Sequence, residues 1–387
     1  MIQVICLNPS MDRTLEVDTL RPGTVHRGGL IAAMAGGKGV NVARFLKQMA
    51  PDLDVQVTGF AGGATGAFIR AQCVREGAVD NLVEIPGESR VCCTILERAD
   101  DSGAAAAVEQ IWREGPPAGC RAEDSRMEGN RTGSNRTGSN RTEGSRSGDM
   151  AAGARSTVLN EAGPDIPDRA LRSFWRLVGR GAELVVVAGS APARFEHLHG
   201  QIVRRCGELG TPVIVDAGGP SLSGAVAAGP SAIKPNEEEF AGLLAGLGDG
   251  PTDGKRAESG EIAAGRAAPQ AVAESAQALL RRGVGEVVVS LGGRGLVWVG
   301  AGGAVRMHAL RVPVRNAVGC GDALVAGICI GRLRGDVAGG LRLGVAASAM
   351  NAMCRVPRLE RPDLLPAWAE RVCAEPVDGE AAGAGRL

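Results

Sequence analysis

Residues 184–216 read LVVVAGSAPARFEHLHGQIVRRCGELGTPVIVD. The stretch opens on an unbroken apolar run, Leu184–Ala188, and closes on another, Val213–Val215. Both are short and rich in β-branched residues, as strands buried on two faces are. Between them Phe195–Leu209 carries helical spacing. Strand, helix and strand in so few residues argue for parallel strands joined by a crossover helix.

The rhythm continues in both directions. Ile2–Leu7, Val55–Phe60, Ala232–Ile233 and Val287–Leu291 read as further buried strands. Gly39–Gln48, Gly66–Glu76, Asp168–Arg180, Asn236–Leu244, Pro269–Arg282 and Asp322–Arg334 read as helices. The expected fold class is therefore α/β, with a mainly parallel central sheet, helices on both faces, and ligands at the carboxyl ends of the strands. Thr14–Asp18, Gly28–Met34, Val91–Glu97 and Thr157–Leu159 are short β-like segments outside this rhythm, suited to a small separate sheet such as a lid.

Two stretches interrupt the pattern. Residues 101–155 include the repeat Gly133-Ser134-Asn135-Arg136-Thr137, Gly138-Ser139-Asn140-Arg141-Thr142. A tract so polar buries too little apolar surface to offset its ordering entropy, so the whole segment is expected to be a disordered low-complexity insert. Its Asn-Arg-Thr triplets match the N-glycosylation sequon, but a drifting repeat explains them more simply. Residues 246–269 read as a loop insert and 371–387 as a flexible tail. With the large insert set aside, the 387 residues suit one domain over 1–370 with a lid, rather than two or three domains.

Lys+Arg and Asp+Glu both number 43, so no net field draws nucleic acid or an anionic membrane. No apolar run is long enough to span a bilayer, and Met1–Leu7 reads as a strand rather than a leader, which points to the cytoplasm. The ten Cys are scattered and offer no zinc-ligand spacing, and they are expected to be reduced thiols. Only four residues are Lys: Lys38, Lys47, Lys234 and Lys255. In a chain this biased toward Arg, a retained Lys suggests a need for a compact ammonium.

Three motifs carry chemistry. Asn316-Ala317-Val318-Gly319-Cys320-Gly321-Asp322 runs into the helical stretch Ala323–Leu333. A Gly-x-Gly turn opening a helix presents unpaired amides to a phosphate or a developing anion. Asp322, taken alone, reads more simply as a helix-capping Asp. Gly36-Gly37-Lys38-Gly39-Val40-Asn41-Val42-Ala43-Arg44 is a second glycine turn into a helix, without Walker A spacing. Lys234-Pro235-Asn236-Glu237-Glu238-Glu239 sets Asn236 and Glu239 on one helical face, placed to hold Mg2+ directly or through water; a solvated acidic helix start is the plainer alternative. Ser290-Leu291-Gly292-Gly293-Arg294-Gly295 adds a glycine loop after a buried strand.

Taken in order with Leu7-Asn8-Pro9-Ser10-Met11-Asp12, Ser89-Arg90, Asn160-Glu161-Ala162-Gly163-Pro164, Ala188-Gly189-Ser190 and Ile214-Val215-Asp216, these motifs resemble the ribokinase-like sugar kinases of the phosphofructokinase B family. The resemblance implies a three-layer α/β/α sandwich with a small β-sheet lid built from about 12–34, 89–98 and 156–162. It implies transfer of phosphate from ATP, with Mg2+, to a sugar hydroxyl.

On this resemblance Asp322 is the catalytic base, and the amides of Gly319, Cys320, Gly321 and Asp322 form the anion hole. Asp12, Gly37 and Asn41 bind the sugar, while Lys38 and Arg90, with Arg27 as a weaker lid candidate, meet the phosphate already on it. Lys234, Asn236, Ser290, Gly292 and Gly295 line the ATP side, with Asn236 and Glu239 organising Mg2+.

The motifs look most like those of 1-phosphofructokinases and tagatose-6-phosphate kinases. The favoured expectation is conversion of fructose 1-phosphate to fructose 1,6-bisphosphate, ahead of tagatose-6-phosphate kinase or 6-phosphofructokinase activity and of a noncatalytic sugar-phosphate sensor. A homodimer through the lid is expected. The sequence departs from the family at Ala191–Arg194, where Leu-Pro-Pro-Gly is usual after Gly-Ser, and at Cys92, where many relatives have Asn.

Overall fold

The computed structural model describes residues 1–98, 102–117, 156–247, 260–262, 264–265 and 267–377. Its strands are β1 (Ile2–Cys6), β2 (Ser10–Val17), β3 (Gly29–Gly36), β4 (Val55–Gly62), β5 (Val79–Ile85), β6 (Arg90–Glu97), β7 (Ser156–Asn160), β8 (Leu184–Ala188), β9 (Val213–Asp216), β10 (Ala232–Ile233), β11 (Val287–Ser290), β12 (Leu296–Gly300), β13 (Gly303–Met307) and β14 (Ala374–Pro376).

Ten of them form one sheet in the order β14-β13-β12-β11-β10-β9-β8-β1-β4-β5. From β5 to β11 every pairing is parallel, and β12, β13 and β14 close the edge antiparallel. The sheet divides the interior into two apolar layers. Along β8, Leu184, Val186 and Ala188 face one layer while Val185 and Val187 face the other, which is why this strand is apolar throughout. Gln3, buried at the centre of β1, is tolerated because its amide bonds Thr58 Oγ1, the Leu177 carbonyl and the Gly179 amide.

The four short β segments form the small separate sheet expected of them, in the order β3-β2-β6-β7. Its β3 runs straight into the Gly36-Gly37 turn and the helix Lys38–Met49.

The helices Cys320–Arg334 and Val337–Ala352 form a tight hairpin turned by Gly335 and capped by Asp336, whose Oδ1 accepts from the Gly339 amide at 2.8 Å. They meet backbone to backbone. A Cβ added to Gly327 would lie 2.4 Å from Gly344 Cα, and one on Gly340 would lie 2.4 Å from Gly331 Cα.

Several expectations are corrected. Residues 102–114 form a helix rather than disordered chain: Val108 is buried and Ile111 and Trp112 pack on the core, an i, i+3, i+4 stripe hidden inside an Ala-rich run. The repeat at 133–142 lies outside the described residues. Residues 374–376 are strand β14 rather than flexible tail, because β13 offers them an edge. Cys373 is disulfide-bonded, against the expectation of thiols throughout; the carboxyl-terminal segment folds back on 114–117, where Arg371 bonds the Glu114 and Pro116 carbonyls, a proximity that no spacing in the sequence reports. In the loop insert, Ile262 and Ala267 are buried. No described helix is long and apolar enough to cross a membrane.

Candidate functional site

The carboxyl ends of β1, β8, β9, β10 and β11 converge on one cleft, with the lid strands β2, β3 and β6 beside it. Two helix starts aim into it. Gly37, the N-cap of Lys38–Met49, holds φ +90°, and a side chain there would press on Cys6 Sγ and Pro9 Cα. Gly319, left-handed, is the N-cap of Cys320–Arg334 and supplies no side-chain cap. The Cys320 amide turns back to the Ala317 carbonyl at 3.3 Å, and among the described residues the amides of Gly321 and Asp322 have no side-chain partner at the positive end of a long helix.

The second turn is shaped by residues that the sequence reading gave no role. Asn316 accepts from the Val318 amide at 3.0 Å and donates to the Arg355 carbonyl at 2.8 Å. Buried Asn351 donates to the Val318 carbonyl at 2.8 Å and to Cys320 Sγ at 3.3 Å, and Ser348 Oγ donates to the Cys320 carbonyl at 2.7 Å. Cys320 Sγ thus faces away from the cleft toward the Ser348 carbonyl, and burial raises its pKa to about 11, so it remains a thiol.

Asp322 lies in the first turn of that helix and is buried. Its Oδ2 accepts from Asn41 Nδ2 at 2.8 Å. Burial, and then the nearby Asp216, push its pKa up to about 6 against the pull of Lys38, the Asn41 hydrogen bond and Lys234. A carboxylate of that strength is still largely ionised at neutral pH yet far more basic than an exposed Asp.

Beside it two lysines share one carboxylate oxygen. Lys38 Nζ lies 3.0 Å and Lys234 Nζ 3.4 Å from Asp216 Oδ1, and Lys38 also reaches Glu239 Oε1 at 3.1 Å. Burial disfavours charge on Lys38, but Asp216, Glu239 and Asp322 outweigh that and hold its pKa above the ordinary lysine value. Lys234 Nζ also sits 3.4 Å from where a Gly321 side chain would begin, so an ammonium borders the Gly319–Asp322 turn.

The expectation paired Lys38 with Arg90 at a substrate phosphate. In the structure Lys38 Nζ meets Asp216 and Glu239, its side chain leaving the helix start across Gly189 at the end of β8. Arg90 stays on lid strand β6, where its Nε donates to the Asn8 carbonyl at 3.2 Å and its charge acts on Asp12. Asp12 accepts from Ser10 Oγ at 2.5 Å, and burial raises its pKa despite that bond and the nearby Arg90 and Arg44. Arg27 stands exposed on the loop between β2 and β3.

Asn236 and Glu239 form a capping box: Asn236 Oδ1 accepts from the Glu239 amide at 2.8 Å and Glu239 Oε2 from the Asn236 amide at 2.9 Å. The expectation that Asn236 and Glu239 organise Mg2+ meets a box in which Asn236 Oδ1 and both Glu239 oxygens already have partners, Oε1 being held by Lys38. Asp216 Oδ2 is buried without a hydrogen-bond partner, and Mg2+ favours one or two carboxylates together with substrate phosphates. Ser290 lies across the bridge from Asn236, its amide donating to the Pro235 carbonyl at 3.0 Å, and Gly292 and Gly295 form the turn beyond it.

Three comparisons bear on this arrangement. The sequence model for pfkB family carbohydrate kinases matches residues 157–362. The 1-phosphofructokinase of Rhodobacter capsulatus is 28% identical over 378 residues, covering 96% of both chains. The tetrameric inhibited form of Escherichia coli phosphofructokinase-2 superimposes with a TM-score of 0.70 at 20% identity, covering 95% of this chain and 99% of that one. A possible 1-phosphofructokinase from Thermotoga maritima gives 0.69 at 19% identity, covering 98% and 100%.

Proposed function

Because the chain belongs to the pfkB family of carbohydrate kinases, ATP-dependent enzymes acting on sugar hydroxyls, we propose that it phosphorylates a ketohexose phosphate, converting fructose 1-phosphate to fructose 1,6-bisphosphate. The observation that carries the reading is the placement of Asp322, raised to about 6, at the start of a helix without a side-chain cap and beside two ammonium groups. The choice of fructose 1-phosphate leans on the Rhodobacter capsulatus relative.

In the proposed reaction Asp322 accepts the proton of the sugar's free terminal hydroxyl as its oxygen bonds to the γ-phosphorus, and the bond to the β–γ bridging oxygen breaks to release ADP. The charge on the transferring group spreads over its oxygens, and catalysis rests on placing positive ends around it. The amides of the Gly319–Asp322 turn, Lys38 and Lys234 meet that need. Asp12 and Asn41, with Gly37 permitting close backbone approach, hold sugar hydroxyls, and Arg90 takes the phosphate already present. Asn236, Ser290, Gly292 and Gly295 border the nucleotide. Asp216, through its unpartnered Oδ2, is the residue that would hold Mg2+, with Asn236 and Glu239 able to join it on giving up their present partners; the ion, when bound, would neutralise charge on the ATP phosphates.

The lid exposes Val25, Leu30, Val158 and Leu159, which supports self-association of two chains through that sheet. The function is tested by measuring ADP release with fructose 1-phosphate, fructose 6-phosphate, tagatose 6-phosphate and free sugars. Preference for fructose 1-phosphate is expected; preference for either hexose 6-phosphate would reassign the substrate. Tight sugar-phosphate binding without ADP release from any of them would support a sensor.

A further inference from the structure

One turn beyond Asn41, the helix Lys38–Met49 carries an arginine that the proposed reaction leaves without a task. Arg44 is only 3% exposed. Its Nη1 donates to Asn41 Oδ1 at 2.6 Å, its Nε donates to both oxygens of Glu76 at 3.0 Å, and its Nη2 donates to the Ala35 carbonyl in lid strand β3. Gln72 closes the ring from the helix Gly63–Arg75. Its Oε1 accepts from the Ala35 amide at 2.7 Å, and its Nε2 donates to Glu76 Oε1 at 2.9 Å.

A purely structural ion pair needs Arg44 and Glu76 alone. Here the guanidinium has two further contacts, and both lead to the cleft. By engaging Oδ1 of Asn41 it dictates which end of that amide turns toward Asp322. With Oδ1 taken, Nδ2 points at the carboxylate and donates; in the reverse orientation two oxygens would face each other with no proton between them. By binding Ala35 it ties the end of β3, one residue before the Gly36-Gly37 turn, to the same group. Three acceptors arranged around one planar fork suit arginine, and lysine's single ammonium cannot serve all three in fixed directions.

We propose that Arg44, held by Glu76 and Gln72, is a positioning residue that acts through Asn41 to orient Asp322 and registers lid strand β3 to it. The proposal rests on the reading of Asp322 as the base.

The test is a double-mutant cycle on the full chain, with kcat and KM for fructose 1-phosphate and ATP measured in the unaltered protein, Arg44→Met, Asn41→Ala and the double variant. Arg44→Met is expected to lower kcat by roughly 30-fold with each KM within about threefold of the unaltered value, and to have almost no further effect once Asn41 is Ala. A kcat loss under about tenfold, or a loss that recurs in full in the Asn41→Ala background, overturns the proposal, because a scaffold role would weaken both backgrounds alike. If circular dichroism shows Arg44→Met unfolded, Glu76→Gln replaces it. That variant keeps the guanidinium and alters a partly exposed side chain, and a kcat loss of roughly fivefold that vanishes beside Asn41→Ala is expected. A loss under about twofold, or one that persists there, overturns the proposal equally. Absence of turnover in the unaltered chain, or full turnover in Asp322→Asn, would instead remove the premise and the proposal with it.

Discussion

Asn41 Nδ2 donates to Asp322 Oδ2 at 2.8 Å, joining two helix starts that lie 281 residues apart in the chain. Each helix follows a glycine turn, and neither turn alone makes a site. The hydrogen bond stabilises the ionised carboxylate, and burial pushes the other way. What results is a group tuned to accept a proton.

Replacing that group separates activity from stability. Asp322→Asn is expected to lower kcat by roughly 10²- to 10⁴-fold, the usual range for a general base. The same variant should be more stable at pH 8. A carboxyl whose folded pKa stands near 6, above its ordinary 3.8, carries a charge penalty in the fold above pH 6. That penalty is on the order of 2 to 3 kcal/mol and fades as pH falls through 6 toward 4. Urea melts of both proteins at pH 8 and pH 4.5 check the difference and its decline.

Activity should fall on the acid side as Asp322 takes up its proton, with kcat/KM dropping below about pH 6. Substrate phosphates titrate in the same range, so the decisive measurement is made without them. A carboxyl carbon resonance titrating near 6, and missing from Asp322→Asn, identifies the residue.

Lys38→Met tests the seat of that ammonium. Removing a preorganised cation from the transferring group is expected to lower kcat by roughly 10²- to 10³-fold. It also removes an attraction that lowers the Asp322 pKa, so the acid limb should move upward. Were Lys38 to bind the sugar's own phosphate instead, KM for fructose 1-phosphate would rise while kcat held, and steady-state kinetics read the two apart.

The helix at 102–114 matters for stability rather than chemistry. The Trp112 and Trp368 rings lie 5.3 Å apart, centroid to centroid, and fasten this helix to the carboxyl-terminal helix Leu365–Glu370. Trp112→Ala is expected to cost about 2 kcal/mol, less than truncation of a fully buried aromatic because the ring is only partly buried. Denaturant midpoints measure it, and kcat should be unchanged.

The parallel core was legible because β1, β8, β9 and β11 are almost wholly apolar and buried on both faces, which few other structures require. β5 was not, since at the sheet's edge only its Leu82 and Ile85 are buried among polar and exposed residues. The helix Val337–Ala352 escaped notice because Gly and Ala dominate it and it is buried nearly all round, so no polar face marks its period. Scarcity singled out Lys38 and Lys234, which the fold brings to one carboxylate, Asp216, yet the direction of the Lys38 side chain depends on the path of β8 past it. Arg44 and Asn351 act by reaching across elements, and their partners are set by the packing of helices against the sheet rather than by spacing along the chain.

The backbone seam between Cys320–Arg334 and Val337–Ala352 has a mechanical consequence. With glycines meeting on both sides, little side chain lies between the helices to slide or repack, so Asp322 and the turn before it ride on a stiff block. Compositional drift toward glycine and alanine, which along a surface loop means only slackness, is along this seam what lets two helix backbones close to contact and fixes the start of one against the other.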